Sequence, residues 1–342
     1  MLAFAVLGDP FLSRGNEARS QMHIARAYCV DASKIVDIYQ ARALFYGQDE
    51  PRRRFEFLCS DDACRSANAT RVTGVNYDKL VEEGHCVAIR PHFRRNPDSS
   101  HIDVCEWVLR ERSFEALDSE SREEGRGPRR VRSFRNVKAG DLVDLFLVNP
   151  ATPLGTPQRE AGAAASGSVE SKRRSVRNGR QRHTRADFLE TVTSVYELLE
   201  PGERREATLR IGRGPALSYQ TAFCRIEYYL GVSGRRIFHG GVRVQRHGPN
   251  FVVRFFDRVR PYQAGSDVSR AVSLYLKRNM LQEHWNGRFL AAQLTEAARP
   301  GRYAHCYFFG RLVSHPTHAH RFVVNVDSLD HLAFAVRSVK PH

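Results

Sequence analysis

Apolar and polar residues alternate along much of the chain, which is the pattern of β-strands that bury one face. Two alternating stretches within residues 21–45 are broken at the turn-forming sequence DASK and predict a hairpin. Shorter alternating stretches at 55–59, 69–75 and 85–93 predict further strands. Residues 1–115 are therefore expected to form a small β-rich unit, and a structural metal is one common way to stabilise a unit with so little core.

Helical periodicity opens the C-terminal part of the chain. Apolar residues recur at helical spacing from 188 to 199, and Pro201-Gly202 ends that pattern. A second helix is expected to begin at Ser218 and to end at Gly231, because glycine commonly terminates helices.

From residue 236 to 327 the pattern predicts the order β-β-β-α-β-β. The strands are expected at 235–245, 251–259, 271–276, 303–313 and 321–327. Asn286 is placed to cap the helix between the third and fourth strands. This is the element order of an OB-fold, a small β-barrel, and other α+β sheets share it. The fold class is therefore α+β, with an OB-like barrel as one arrangement of the C-terminal domain.

A charged and glycine-bearing region separates these two parts. Residues 151–186 contain no aromatic residue and have two acidic residues against eight basic ones. Such a segment buries too little apolar surface to offset the entropy of ordering it, so we expect a disordered basic linker. The predicted organisation is a metal-binding module at 1–115, a charged segment and linker at 116–186, and an α+β domain at 187–342.

The overall charge raises the prior for a polyanionic partner. Lysine and arginine number 53 against 38 acidic residues, giving a formal net charge of +15, and nucleic acid is the usual partner of such a protein. A high-GC genome would produce the same arginine excess, so charge alone does not identify the partner. The chain has no run of 18 apolar residues, and its apolar start lacks a preceding basic residue, so neither a membrane span nor a signal peptide is predicted.

The cysteines indicate a metal site more than disulfides. Seven cysteines scattered through a long chain do not form a disulfide framework, which favours a reducing, cytoplasmic location. Cys59 and Cys64 form one closely spaced pair, and His101 and Cys105 form another. Together they supply the four ligands of a closed, structural Cys3His zinc site. The other candidates for a place in this set are His92 and the neighbouring histidine-cysteine pair that ends at Cys86.

Three segments also carry a resemblance to a known family. HIARAYCVDASKIVDIYQARALF, FLCSDDAC and RPHFRRNPDSSHIDVC, within about residues 20–108, resemble the N-terminal zinc module of bacterial competence protein CoiA-like proteins. The resemblance implies that Cys59 and Cys64 match the family's first cysteine pair and that His92-Phe93 match its HF dipeptide. The family often has a second histidine where this chain has Arg94, and that departure favours His101 as the ligand.

The family also carries a nuclease-like domain after the zinc module. Such a domain needs an acidic residue followed by an acidic-x-Lys pair on neighbouring strands to hold a divalent cation. The nearest match, Glu170 to Lys172, falls in the predicted linker, which argues against nuclease activity.

One strand of the C-terminal domain is a candidate nucleic-acid surface. His305, Tyr307, Phe309 and Arg311 are expected to share one face, and arginines on neighbouring strands would extend it. Those arginines are Arg243 and Arg254. The alternative is that a helix covers this face and buries it.

The sequence thus predicts a non-enzymatic nucleic-acid-binding protein with a structural zinc site. Two other functions stay open: a protein-interaction or assembly component of a bacterial mobile-element or defence system, and a metal-dependent nuclease. A steep loss of binding with rising salt would separate the first function from the second.

Overall fold

The computed structural model describes residues 23–80, 90–109, 111–112, 142–148, 185–232, 234–260 and 269–338. Within these ranges the strands form three sheets, and helices pack on them. The predicted α+β fold class is confirmed. None of the helices in these ranges is long and apolar enough to cross a bilayer.

The first sheet belongs to the N-terminal unit. Its strands, all antiparallel in the order β1-β6-β5-β4-β2-β3, are β1 (His23–Ile24), β2 (Arg26–Cys29), β3 (Lys34–Asp37), β4 (Phe57–Cys59), β5 (Arg71–Val75) and β6 (His92–Arg95). The predicted hairpin is present as β2 and β3. Its second arm is wrong beyond Asp37, because helix α1 (Ile38–Gly47) begins there. Asp37 and Gln40 form a capping box that satisfies the backbone at the start of this helix.

The second sheet has four short strands in the order β10-β9-β7-β8. They are β7 (Leu145–Phe146), β8 (Arg185–Ala186), β9 (Thr208–Ile211) and β10 (Ala216–Ser218). Helix α2 (Asp62–Asn68) follows β4 of the first sheet, and helices α3 (Leu189–Leu198) and α4 (Pro201–Glu206) join β8 to β9. Strands β7 and β8 fall within the predicted segment 116–186. Of that segment the structure describes residues 142–148 and 185–186, and the others lie outside the described residues.

The third sheet forms the centre of the C-terminal domain, with the order β16-β17-β14-β13-β12-β15-β18 and β11 on the free edge of part of β12. Its strands are β11 (Phe223–Arg225), β12 (Ile237–His247), β13 (Asn250–Phe255), β14 (Ala271–Leu276), β15 (Arg302–Phe309), β16 (Arg311–His315), β17 (His318–Asn325) and β18 (Leu332–Ser338). Its helices are α5 (Tyr219–Ala222), α6 (Arg278–Glu283) and α7 (Gly287–Ala297). The helix predicted from Ser218 to Gly231 is wrong in its middle, because β11 separates α5 from a 3-10 helix at Ile226–Gly231.

The strand ladders do not close into a barrel. The observed order over 236–327 is β12-β13-β14-α6-α7-β15-β16-β17, which has one helix and one strand more than the predicted β-β-β-α-β-β. Strand β12 pairs with β15, and β14 pairs in parallel with β17. The predicted strand at 303–313 is two strands separated by Gly310, of which β15 pairs with β12 and β16 pairs with β17. A side chain at Gly310 would collide with the carbonyl oxygen of Asn325, so the close approach at this break requires glycine.

The N-terminal unit packs directly on the C-terminal domain. Helix α1 lies against α7, where the rings of Tyr46 and Phe289 are 5.7 Å apart. Phe289 and Phe188, both fully buried, belong to the hydrophobic core of the N-terminal unit. Residues from the predicted C-terminal domain therefore contribute to the core of the N-terminal unit.

Candidate metal centre

Cys59 and Cys64 are held by a strand end and a helix start. Cys59 is the last residue of β4, and its backbone N–H donates to the carbonyl oxygen of Thr70. Cys64 lies in the first turn of α2 (Asp62–Asn68), whose N-cap is Asp61. The Asp61 carboxylate accepts a hydrogen bond of 2.9 Å from the Cys64 N–H, which is the usual chemistry of an aspartate cap. Both thiol groups are fully buried.

His101 and Cys105 come from the loop after β6 and the helical turn that follows it. The Cys105 N–H donates to the carbonyl oxygen of Ile102, and the Cys105 carbonyl oxygen in turn accepts from the N–H of Leu109. This turn brings the His101 ring and the Cys105 sulfur to the same side, with Cys105 Sγ 3.3 Å from His101 Nδ1.

Residues between the two cysteines of the first pair join both halves of the site. The second carboxylate oxygen of Asp61 accepts from the N–H of Glu106 at 3.1 Å, so one side chain caps both helical segments. The Ser60 hydroxyl accepts from the indole N–H of buried Trp107 at 2.9 Å. Sequence spacing identified the cysteines and did not identify these two residues, although an aspartate just before a helix is a recognisable cap signal.

The four predicted ligands lie together, and their separations fit a tetrahedral ion. Cys59 Sγ and Cys105 Sγ are 3.6 Å apart, and Cys64 Sγ is 3.5 Å from His101 Nδ1. A tetrahedral zinc ion separates two sulfur ligands by about 3.8 Å and a sulfur from a nitrogen by about 3.6 Å. All four ligand atoms lie within 4.8 Å of one another, so this group could hold one metal ion.

The electrostatics of the site favour a thiolate. The hydrogen bond between the two thiol groups lowers the pKa of Cys105 below its ordinary value, and the same bond raises the pKa of Cys59. Metals bind cysteine as the thiolate, so one ligand is prepared for coordination. The His101 ring faces the sulfurs with Nδ1, and its Nε2 is buried without a hydrogen-bond partner among the described residues. Nδ1 is therefore the nitrogen of this histidine that could ligate an ion in the group.

His92, the alternative ligand among the described residues, does not join this group. His92 lies on β6, and its Nδ1 is 2.9 Å from the carbonyl oxygen of Arg90. Cys86 lies outside the described residues.

Replacing His101 and His92 with alanine, one at a time, tests the assignment of His101 as a metal ligand. His101→Ala is expected to reduce bound metal to well below one equivalent, because it removes one of four ligands. His92→Ala should leave the metal content of the purified protein unchanged in elemental analysis. Full metal in His101→Ala together with depleted metal in His92→Ala would reverse the assignment.

The structure divides the predicted nucleic-acid surface into a covered part and an exposed part. Tyr307 is 4% exposed, and its hydroxyl donates to Glu197 of α3 at 2.9 Å. Phe309 packs edge-on against Phe146 of the second sheet. Arg311 is exposed and lies on β16 opposite Asn325, beyond the break at Gly310.

The exposed part centres on β12 and β13. Arg243 and Arg254 are directly opposite each other in this antiparallel pair, and both are exposed. His305 is half-buried and lies opposite Gly241. Two aromatic residues that the sequence analysis missed belong to the same sheet face, Phe256 just after β13 and Tyr303 on β15, with ring centroids 6.3 Å apart.

A histidine pair lies at the inner edge of this face. His239 Nδ1 is 2.9 Å from His305 Nε2, and the His239 ring stacks on buried Tyr307. Burial, together with the neighbouring imidazole and two arginines, lowers the pKa of His239 to about 3. Burial likewise lowers the pKa of His305 to about 4, with Arg337 the next contributor. Both imidazoles are therefore neutral at physiological pH.

Comparisons with known proteins do not add a name to these sites. No family model matches the chain, and searches of curated proteins and of solved structures return no match.

Proposed function

We propose that the protein is a non-enzymatic nucleic-acid-binding protein with a structural zinc ion in the Cys3His group. Three thiols and one imidazole are the ligand set that zinc prefers, and the buried, closed arrangement supports a structural role. An ion there would join β4, α2 and the segment around His101, which belong to the small unit whose stability most needs it.

The opposed arginines of β12 and β13 carry the nucleic-acid part of the proposal. Like charges directly opposite each other in a sheet are destabilising, so Arg243 and Arg254 repel each other in the free protein. Neither side chain makes an ion pair with any residue in the described ranges. A bound phosphate group would relieve this repulsion, and guanidinium groups suit phosphate oxygens particularly well.

Replacing one of these arginines tests the proposal. Arg243→Gln is expected to weaken nucleic-acid binding and to reduce the slope of log K against log salt by about 0.7 to 0.9, because one fewer phosphate is neutralised and fewer counterions are released. The measurement is fluorescence anisotropy of a labelled oligonucleotide over a salt series.

Arg246→Gln is the matched control, because Arg246 is exposed on the same strand and belongs to the opposite alternation of side chains. It removes the same charge and should leave the slope at the wild-type value. If both changes reduce the slope equally, binding depends on the net charge of the protein and not on the opposed arginines. Wild-type binding too weak to measure even at low salt would favour the protein-interaction alternative.

A further inference from the structure

We propose that the exposed face around Phe256 selects single-stranded nucleic acid by stacking one base on the Phe256 ring. This inference rests on the proposed function and names the class of nucleic acid for the same surface. It adds an aromatic contact to the phosphate contacts of the two arginines.

Phe256 is a large apolar side chain on the outside of the protein. It is 53% exposed, the second-highest exposure among the large hydrophobic residues described. A scattered exposed hydrophobic residue needs no explanation, but an exposed ring beside cations without an ion-pair partner in the described ranges is the composition of a nucleic-acid surface.

Gly241 positions this ring. The Phe256 N–H donates to the Gly241 carbonyl oxygen at 2.9 Å, and a side chain added at Gly241 would come within 2.9 Å of the Phe256 ring. The ring therefore rests on the bare backbone of β12, in the space that a side chain would otherwise fill. A ring supported in this way loses little conformational entropy when a base stacks on it.

The neighbours of Phe256 on this face complete a site for one nucleotide. The next residue pair along this face of β12 and β13 is the opposed Arg243 and Arg254, and Tyr303 lies on the far side of Arg243 on β15. His305, opposite Gly241, is neutral and held by His239, so it adds a polar contact without charge.

The acidic groups near this face are already neutralised. Asp257 pairs with Arg225 at 3.2 Å, and Glu197 pairs with Arg337 at 2.8 Å. The charge that remains for a ligand on the face is therefore positive, which fits a polyanion and disfavours a basic protein segment.

The aromatic contact distinguishes single strands from duplexes. In a duplex the flat faces of the bases are stacked on each other, so an exposed ring gains nothing from them. In a single strand each base can leave its neighbours and stack on an aromatic side chain, and this stacking contributes about 1–3 kcal/mol per base. Phosphate contacts alone would bind both forms.

The test compares a single-stranded oligonucleotide of about 15 nucleotides, within the usual site-size range, with a duplex of the same length. Binding of each to the full chain is measured by anisotropy for the wild type, Phe256→Leu and Tyr228→Leu. Tyr228 is the control because it is 49% exposed and lies on the 3-10 helix at Ile226–Gly231, not on the sheet face.

We expect the wild type to prefer the single strand. Phe256→Leu should weaken single-strand binding by about 5-fold or more, which corresponds to the loss of one stacked base, and should leave duplex binding and the salt slope unchanged. Tyr228→Leu should change neither affinity.

Three results overturn the inference. If single strand and duplex bind equally, or if Phe256→Leu retains the single-strand affinity, stacking on Phe256 is wrong, while a loss of binding in Arg243→Gln would still support the proposed function. If neither nucleic acid binds the wild type, the proposed function fails together with the inference.

Discussion

Cys105→Ser is expected to remove the metal and to unfold the N-terminal unit. Cys105 Sγ contacts both Cys59 and His101, so its loss opens the ligand group at its centre. Structural zinc sites contribute on the order of 10–16 kcal/mol of apparent binding free energy, far more than a small β-rich unit gains from its own core. Elemental analysis should find about one equivalent of zinc in the wild type, as expected for a single closed site. It should find none in the variant, and limited proteolysis should cut the variant within residues 23–112.

Cys224→Ser is the control for this experiment, because Cys224 is half-buried on β11 and is not part of the ligand group. This variant should keep its metal and its resistance to protease. Folded wild-type protein without bound metal, or full metal in Cys105→Ser, would contradict the structural site.

Acidification is expected to destabilise the C-terminal domain through the histidine pair. The folded pKa values, about 3 for His239 and about 4 for His305, lie below the ordinary value of 6.5. The unfolded chain therefore binds more protons, and the free energy of unfolding is highest above pH 6.5 and falls as the pH drops toward the folded values. Between about pH 7.5 and about pH 5 the expected loss is about 2 kcal/mol for each histidine.

Denaturant unfolding at these two pH values measures the loss directly. His305→Asn should show a smaller fall in stability on acidification than the wild type, because one buried titrating group is gone. His247→Asn changes an exposed histidine on β12. The free energy of unfolding of this variant should fall on acidification as much as that of the wild type. Equal pH dependence in all three proteins would mean that the pair is not buried as the structure indicates. The charged groups around the pair are Arg204, Arg225, Arg337 and Asp257, and none of these variants changes them.

The grouping of the four candidate metal ligands could be predicted from the sequence because their geometry is mostly local. Cys59 and Cys64 are five residues apart and lie on a strand end and the adjoining helix turn, while His101 and Cys105 share one turn. Spacing alone was therefore enough to identify each pair. It did not reveal Asp61, whose two hydrogen bonds join halves that are distant in the chain.

The face of the third sheet around β15 shows what the alternation of side chains can predict and what it cannot. Alternation correctly places His305, Tyr307 and Phe309 on one side of β15, but it does not tell which element covers that side. Helix α3 covers Tyr307, so the accessible aromatic residues are Phe256 and Tyr303 instead. The usable signal was Gly241, because a glycine inside a strand often marks a close approach of another group.

The sequence pattern did not predict helix α1, because its apolar residues fit both the two-residue repeat of a strand and the 3.6-residue repeat of a helix. Apolar positions in IVDIYQARALF satisfy alternation at the start and helical spacing afterwards, and the deciding feature is the sequence Asp37-x-x-Gln40. The packing of α1 on α7 depends on residues about 250 positions apart and has no signature in the local pattern.

The sharing of Phe289 and Phe188 between the two parts has a consequence for solubility. Both rings come from the C-terminal side of the chain, yet they are covered by the N-terminal unit. If the Cys3His group holds a metal, its withdrawal would loosen that unit, and the C-terminal domain would then present two large aromatic rings to solvent, a surface prone to self-association. Metal supply would then determine how much of the protein stays free of aggregates, although the Cys3His group lies in a different part of the fold.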